Sequence, residues 1–182
     1  TPQEYSYPTI MTEESRSYSD LVIFDSEVYA LSSSKEALIK LGGKEERVLS
    51  FYSALPDLSI SREGEFLLPY VNGKESYVSI YNREGERCAK YDGYYDGAFL
   101  GTKLVLASTV DRITYLTIMD EDGRELNMGT DFDEFTDCTY VDFFEGTTDT
   151  EIRDNRRLLY HIMTKAGFTN LPSEWWHYDY GD

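Results

Sequence analysis

The residues with the clearest chemical potential lie near the C-terminus, in the run Ser173-Glu174-Trp175-Trp176-His177-Tyr178. Glu174 supplies a carboxylate, and His177 supplies an imidazole three residues later, with two indoles between them. Against apolar surface the pKa of a carboxylate rises, and a neutral imidazole is a good metal ligand. The run therefore indicates a site made of a carboxylate, Glu174, and a metal-binding imidazole, His177, with Trp175 and Trp176 as supporting residues.

The same run also has a purely structural interpretation. A histidine beside tryptophan is often simply a packed, hydrogen-bonded side chain. In a flat strand, residues three apart point to opposite faces and lie roughly 10 Å apart along the chain. Glu174 and His177 can therefore face one site only where the backbone bends between them.

Several short blocks upstream of this run carry a family resemblance. They are Leu116-Thr117, Asp122-Gly123-Arg124-Glu125-Leu126, Met128-Gly129, Phe132-Asp133-Glu134-Phe135, Asn155-Arg156-Arg157 and Gly167-Phe168. With the terminal run they closely resemble the zinc-dependent D-alanyl-D-alanine dipeptidase family over about residues 116–182. The resemblance implies that Glu174 is the general base acting on a zinc-bound water and that His177 is one of three protein ligands to zinc. In such a centre zinc lowers the pKa of its water towards about 7 and stabilises the oxyanion.

The other two zinc ligands of that family come from an S-x-H-x-x-G-x-A-x-D motif just upstream of the Leu-Thr pair. In this chain the His position is Ser108 and the Asp position is Tyr115. The Ser, Gly and Ala positions are also changed, to Leu106, Asp111 and Ile113. Because a catalytic zinc site uses about three protein ligands, we predict a relative of the dipeptidases with impaired or lost peptidase activity. Zinc is the one cofactor that the resemblance implies.

Other functions remain open at this point. His161, the second histidine, is predicted to be a surface or packing residue of a helix, and Asp111, Asp120 or Asp122 could supply oxygen ligands. One alternative is a non-catalytic, β-rich, propeller-like module that binds a protein or glycan or has a structural role, and that carries a dipeptidase-like tail. Another is a fusion of two pieces. The expected partners are accordingly a small peptide substrate or an unknown protein or glycan.

Composition restricts the class of protein. The chain has 34 acidic and 17 basic residues and a net charge of −17, so nucleic acid and anionic membrane surfaces would be repelled. No apolar run approaches the roughly 20 residues of a membrane span, and we predict a soluble protein of undetermined compartment. Aromatic residues make up 15%, with 16 Tyr. This composition favours β structure and would also suit stacking on carbohydrate. Whether Cys88 and Cys138 pair stays open.

The N-terminal half reads as strands and turns. Residues 1–19 are predicted to be an extended lead-in. Two apolar runs, 21–24 and 28–31, flank Asp25-Ser26-Glu27 with the spacing of a hairpin. Ser33 and Glu36 would form a capping box for a short helix through Leu41, and a strand is the competing interpretation of that segment.

An internal repeat follows. A shift of 38 places residues 66–68 over 104–106 and residues 76–80 over 114–118, with Gly85 over Gly123. A fainter copy, shifted by 40, places 37–39 over 77–79 and Arg47 over Arg87. Periods near 40 resemble β-propeller blades, but three units are too few to close a ring. A meander of antiparallel hairpins is the alternative, so residues 103–129 are either a unit of this repeat or a remnant of the dipeptidase core.

The C-terminal region is predicted to contain the main helix. After an acidic, aromatic loop at 131–146, Thr148 and Glu151 form a capping box and the helix runs to about Ala166. Its expected apolar face contains Ile152, Leu159, Ile162, Met163 and Ala166, with Arg153, Arg156 and Arg157 on the other side. A last strand, 168–178, turns at Leu171-Pro172.

We therefore predict an α+β fold, a mostly antiparallel sheet of hairpin repeats with one main C-terminal helix. The expected organisation is a lead-in at 1–19, a β-rich repeat region at 20–112 and a dipeptidase-like segment at 113–182.

Overall fold

The computed structural model describes residues 18–42, 44–54 and 56–181. Most of the lead-in predicted at residues 1–19 lies outside the described residues. The described chain forms two compact units, residues 18–123 and 124–181. No helix in this part of the chain is long and apolar enough to cross a bilayer.

The first unit begins with a four-stranded antiparallel meander. Its strands, in spatial order, are β1 (Tyr18–Phe24), β2 (Glu27–Ser32), β3 (Ala37–Leu41) and β4 (Glu46–Ser50). Asp25 and Ser26 link β1 to β2 with φ angles of 50° and 64°, so both turn residues are left-handed, as in the tightest hairpin turns. The predicted hairpin is confirmed. Of the two interpretations left open at 33–41, the strand is correct from Ala37, and Ser33 lies in the turn before it.

Two further meanders complete this unit. The second sheet contains β5 (Ser59–Ile60), β6 (Phe66–Asn72), β7 (Glu75–Tyr81) and β8 (Arg87–Asp92), and the third contains β9 (Asp96–Leu100), β10 (Lys103–Val110) and β11 (Ile113–Met119). All neighbouring strands are antiparallel. The third sheet has three strands where the first two have four.

The repeat found in the sequence corresponds to successive sheets. Residues 66–68 and 104–106 lie in the second strand of their sheets, and residues 76–80 and 114–118 lie in the third. The turns after these third strands match as well. Gly85 N–H donates to Asn82 O and Gly123 N–H to Asp120 O, both at 3.1 Å, and both glycines have positive φ. Three described sheets are fewer than the four or more blades of a closed propeller, so propeller ancestry stays a hypothesis.

Apolar side chains alternate between the two faces of the second sheet, and each face has its own core cluster. Phe66 and Leu68 pack with Tyr29, Leu31 and Leu38 of the first sheet and with Leu58. Leu67, Val78 and Ile80 pack with Leu104, Leu106 and Met119 of the third sheet. This period of two buries the strands from both sides. It explains why the second sheet contains the most completely buried residues.

The second unit contains the main helix, α1 (Thr150–Lys165), and a two-stranded hairpin of β12 (Phe168–Asn170) and β13 (Tyr178–Tyr180). Two short 3-10 helices, Asp137–Thr139 and Phe143–Gly146, precede α1. The predicted α+β class, mostly antiparallel with one main helix near the C-terminus, is confirmed.

The start of α1 differs from the predicted capping box. Asp149, not Thr148, is the N-cap residue, and its carboxylate accepts a hydrogen bond from Ile152 N–H at 3.4 Å. The helix ends at Lys165 with Ala166 as its C-cap, close to the predicted end, and Gly167 follows with φ of 92°. Of the expected apolar face, Ile152 and Leu159 are buried, whereas Ala166 is exposed.

Candidate functional site

The Glu-Trp-Trp-His run forms two successive turns between β12 and β13. It is not part of a continuous strand, which corrects the strand predicted over 168–178. Glu174 N–H donates to Leu171 O at 2.9 Å, and His177 N–H donates to Glu174 O at 3.1 Å. Leu171 N–H donates to His177 O at 3.0 Å and closes the hairpin. The second turn supplies the bend that two side chains three residues apart require if they are to meet.

The carboxylate of Glu174 and the imidazole of His177 are in contact. His177 Nδ1 lies 3.1 Å from Glu174 Oε2, and Nε2 lies 3.4 Å from Asp179 Oδ1. The His177 side chain is 43% exposed and that of Glu174 is 21% exposed. Both ring nitrogens therefore face carboxylates in a half-open setting. Asp179 was not among the predicted site residues.

In this arrangement the Glu174 carboxylate contacts one ring nitrogen of His177. An imidazole that binds metal through one nitrogen usually donates its other N–H to a carboxylate or a carbonyl. Here the carboxylate of Glu174, the predicted base, contacts Nδ1 of His177, and Nε2 of the same ring faces Asp179. The geometry suits orientation of the imidazole ring by Glu174 and Asp179.

Asn170 fixes the backbone under this pair. Its Nδ2 donates to Glu174 O at 3.1 Å and to His177 O at 3.0 Å. Because carbonyl oxygens only accept hydrogen bonds, the carbonyls of Glu174 and His177 must both face Nδ2 of Asn170. This requirement determines which way the Asn170 side-chain amide is turned. An asparagine at a strand end is common in turns, so nothing in the sequence distinguished this one.

The two tryptophans have different environments. Trp175 is buried; its backbone N–H donates to Thr139 O at 3.0 Å and its Nε1–H to Thr130 Oγ1 at 2.8 Å. Trp176 is half-buried and packs with its ring centroid 5.4 Å from that of Trp175 and 5.8 Å from that of Phe132. The first indole anchors the turn, and the second lies in a partly exposed aromatic group with Phe132 and Phe135.

Arg156 is the main departure from the predicted helix faces, because it is 3% exposed instead of lying on the solvent side. Its Nε–H and one Nη1–H each donate at 2.8 Å, to Met128 O and Tyr140 O respectively. The guanidinium also lies 4.6 Å from the Phe144 ring centroid and 5.6 Å from that of Trp175. Burial lowers the pKa of Arg156 to about 10, so the group stays charged at neutral pH. It ties the helix to two loops and to the anchoring indole.

Ser108 and Tyr115, which the sequence comparison predicts at the remaining ligand positions of the family, are direct cross-strand partners on β10 and β11. Partners in an antiparallel pair place their side chains on the same face. Neither a serine hydroxyl nor a neutral phenol is among the common zinc ligands. Sequence counting assigned these positions, and their pairing on one hairpin is a structural finding.

The described residues do not fit a zinc centre. Across residues 18–42, 44–54 and 56–181, no three His, Cys, Asp or Glu side chains come close enough together to hold a metal ion. Both cysteines are free thiols, with Cys88 exposed and Cys138 partly buried. The imidazole of His161 is exposed on α1 and packs beside Tyr160.

Comparison with known proteins supports the resemblance found in the sequence. Residues 104–182 match the family model described as D-ala-D-ala dipeptidase. The D-alanyl-D-alanine dipeptidase of Escherichia coli is 39% identical over 64 residues, which cover 35% of this chain and 32% of that protein. A D-alanyl-D-alanine dipeptidase of Synechocystis is 32% identical over 76 residues, covering 37% of this chain and 31% of the relative. The chain thus spans about a third of the length of the curated relatives it matches, and the likeness concerns its C-terminal part.

Proposed function

We propose that this chain is a relative of the D-alanyl-D-alanine dipeptidases whose capacity to hydrolyse peptides through a zinc centre is impaired or lost. The observation that carries the proposal is the environment of the His177 imidazole. Its two ring nitrogens face the carboxylates of Glu174 and Asp179. Among the described residues, no three His, Cys, Asp or Glu side chains lie close enough together to hold a metal ion. The match of residues 104–182 to the dipeptidase family supports the relationship.

The residues that would have had catalytic roles keep a structural one in this proposal. Glu174 and His177 join the ends of a tight turn, and Asn170 and Trp175 hold that turn against the rest of the second unit. A short peptide remains the proposed ligand class, because the family resemblance lies in the part of the chain that contains this turn.

Metal content and peptidase activity test the proposal directly. Protein purified without chelator is incubated with D-alanyl-D-alanine, and zinc per chain is measured on the same sample. We expect zinc well below one ion per chain and no hydrolysis above that of the His177→Ala variant. The matched control is His161→Ala, which removes the other imidazole from an exposed site on α1. One zinc per chain, with hydrolysis lost in His177→Ala and kept in His161→Ala, would refute the loss of the zinc centre.

The alternative is a non-catalytic β-rich module with a dipeptidase-like tail that binds a protein or glycan. The three successive meander sheets of the first unit favour it, because some antiparallel all-β folds, such as the OB-fold, bind oligosaccharides on a strand face and its loops. Titration calorimetry with D-alanyl-D-alanine distinguishes the two. Saturable binding without turnover supports an inactive relative, and absence of binding favours the module.

A further inference from the structure

Three aspartates recur at the start of the three sheets of the first unit. Asp20 lies in β1, Asp57 precedes β5 and Asp96 begins β9. Each carboxylate accepts a hydrogen bond from the backbone N–H of the next residue, at 2.7 Å, 2.8 Å and 2.8 Å respectively. The three aspartates are spaced by 37 and 39 residues, close to the 38-residue repeat, and bring like charges to the junction of the sheets.

Asp20 and Asp57 converge on one backbone donor. Leu58 N–H lies 2.9 Å from Asp20 Oδ2 and 2.8 Å from Asp57 Oδ1. One N–H proton cannot fully satisfy two carboxylates, and two like charges this close cannot both ionise without cost. The Leu58 side chain is itself buried in the core cluster between the first and second sheets, so the shared donor lies at their junction.

The two carboxyl groups differ in their hydrogen-bond donors. Asp20 accepts from two backbone donors, Leu21 N–H on Oδ1 and Leu58 N–H on Oδ2. Asp57 shares the Leu58 N–H donor, and among the described residues the charged groups facing it are the carboxylates of Asp20 and Asp96. Burial, together with the side-chain hydrogen bond to Asp20, raises the pKa of Asp57.

We propose that Asp57 and Asp20 share one proton and form a pH-sensitive latch between the first and second sheets of the first unit. With the proton present, Asp57 donates to the Asp20 carboxylate and both accept from Leu58 N–H. When the proton leaves, two carboxylates repel each other across the junction, and Asp96 adds a third negative charge. The latch is closed at acidic pH and weakens towards neutral pH.

The sign of the linkage follows from the direction of the shift. A carboxyl group whose pKa is raised on folding binds its proton more tightly in the folded state. Its stabilising contribution is complete below the unfolded pKa of about 3.9. It is lost as the pH rises through the higher folded-state pKa.

An Asp57→Asn variant tests the latch, because an amide donates to Asp20 at every pH. Thermal midpoints of wild type and variant are compared between pH 4 and pH 8, with Glu63→Gln as control. Glu63 lies exposed in the turn between β5 and β6, and the control removes the same charge. We expect the midpoint of Asp57→Asn minus that of wild type to grow with pH, by roughly 2–4 °C for a chain of this size. Glu63→Gln should show no such growth, and equal pH profiles for the two variants would overturn the proposal.

The Leu58 amide gives a second measurement that does not depend on stability. Its nitrogen and proton chemical shifts should titrate in wild type with a midpoint above the ordinary aspartate value of about 3.9, and the step should disappear in Asp57→Asn. If Asp57→Asn fails to fold, Asp20→Asn removes the same step. A Leu58 titration at or below the ordinary midpoint, or one unchanged in the folded variant, would show that no proton is shared.

Discussion

Arg156 places a positive charge inside the second unit, where its hydrogen bonds go to backbone carbonyls instead of a carboxylate. Two carbonyl oxygens, Met128 O and Tyr140 O, lie 2.8 Å from guanidinium nitrogens, and the Phe144 and Trp175 rings cover the group. Hydrogen bonds to charged groups are stronger than those between neutral groups. If the Arg156 side chain were removed, both carbonyl oxygens would lose this donor. The side chain therefore supports the turn that contains Glu174 and His177 through Trp175.

Replacing Arg156 with Met should destabilise the second unit by about 2–4 kcal/mol, because two backbone carbonyls lose hydrogen bonds from a buried, charged donor. The measurement is chemical denaturation followed by tryptophan fluorescence, since both indoles lie in this unit. Arg157→Met is the matched control, because the neighbouring guanidinium is half exposed and pairs with Glu145 on the surface. Exposed pairs contribute little. Equal loss in the two variants would mean that burial of Arg156 has no special role.

The same residues show what sequence reasoning could reach at this scale. The Glu174 and His177 pair was identifiable from residue types and spacing, with the condition that the backbone bend between them. Asp179 and Asn170 were not, because their roles depend on which way two turns fold. Arg156 was misplaced because a helical period assigns charged residues to the solvent side. Its partners, at Met128 and Tyr140, are distant in sequence.

At the scale of elements, alternation and turn residues predicted the strands well. The 38-residue repeat in the sequence corresponds to successive sheets because their equivalent strands need similar inward-facing side chains and the same glycine in the turn. The sequence of segment 33–41 was compatible with a capped helix and with a strand. The strand forms because the side chains of Leu38 and Ile39, on opposite faces of the sheet, are both buried. Burial on two faces is a tertiary property that local capping rules do not contain.

The start of α1 is one of the predicted details that were wrong, and it yields a direct test. Asp149→Ala should cost about 0.5–2 kcal/mol, because the N-cap carboxylate accepts from Ile152 N–H. Thr148→Ala, one residue earlier, should leave the unfolding midpoint nearly unchanged. The two variants are compared by thermal unfolding monitored through helical circular dichroism. A larger loss for Thr148→Ala would restore the capping box that the sequence predicted.

At the scale of the whole molecule, the dominant physical property is charge. The chain has 34 acidic and 17 basic residues, and most of the ion pairs in the described residues are partly exposed. Uncompensated like charges destabilise a compact state through mutual repulsion. Salt shortens the screening length from about 30 Å at 0.01 M to about 8 Å at 0.15 M. The two carboxylates at the first sheet junction are a local instance of the same repulsion.

We therefore expect salt to stabilise the protein at neutral pH. Raising NaCl from 0.01 M to 0.15 M should increase the thermal midpoint at pH 7 by roughly 2–4 °C, the change that corresponds to about 1 kcal/mol for a chain of this size. The control is the same salt series near pH 4.4, the isoelectric point, where net repulsion vanishes and the midpoint should stay constant. The Asp57→Asn variant should keep most of the salt response, since it removes one charge of a net −17. A salt response equal at both pH values would point to a general effect of ions on hydration and would contradict a repulsive origin.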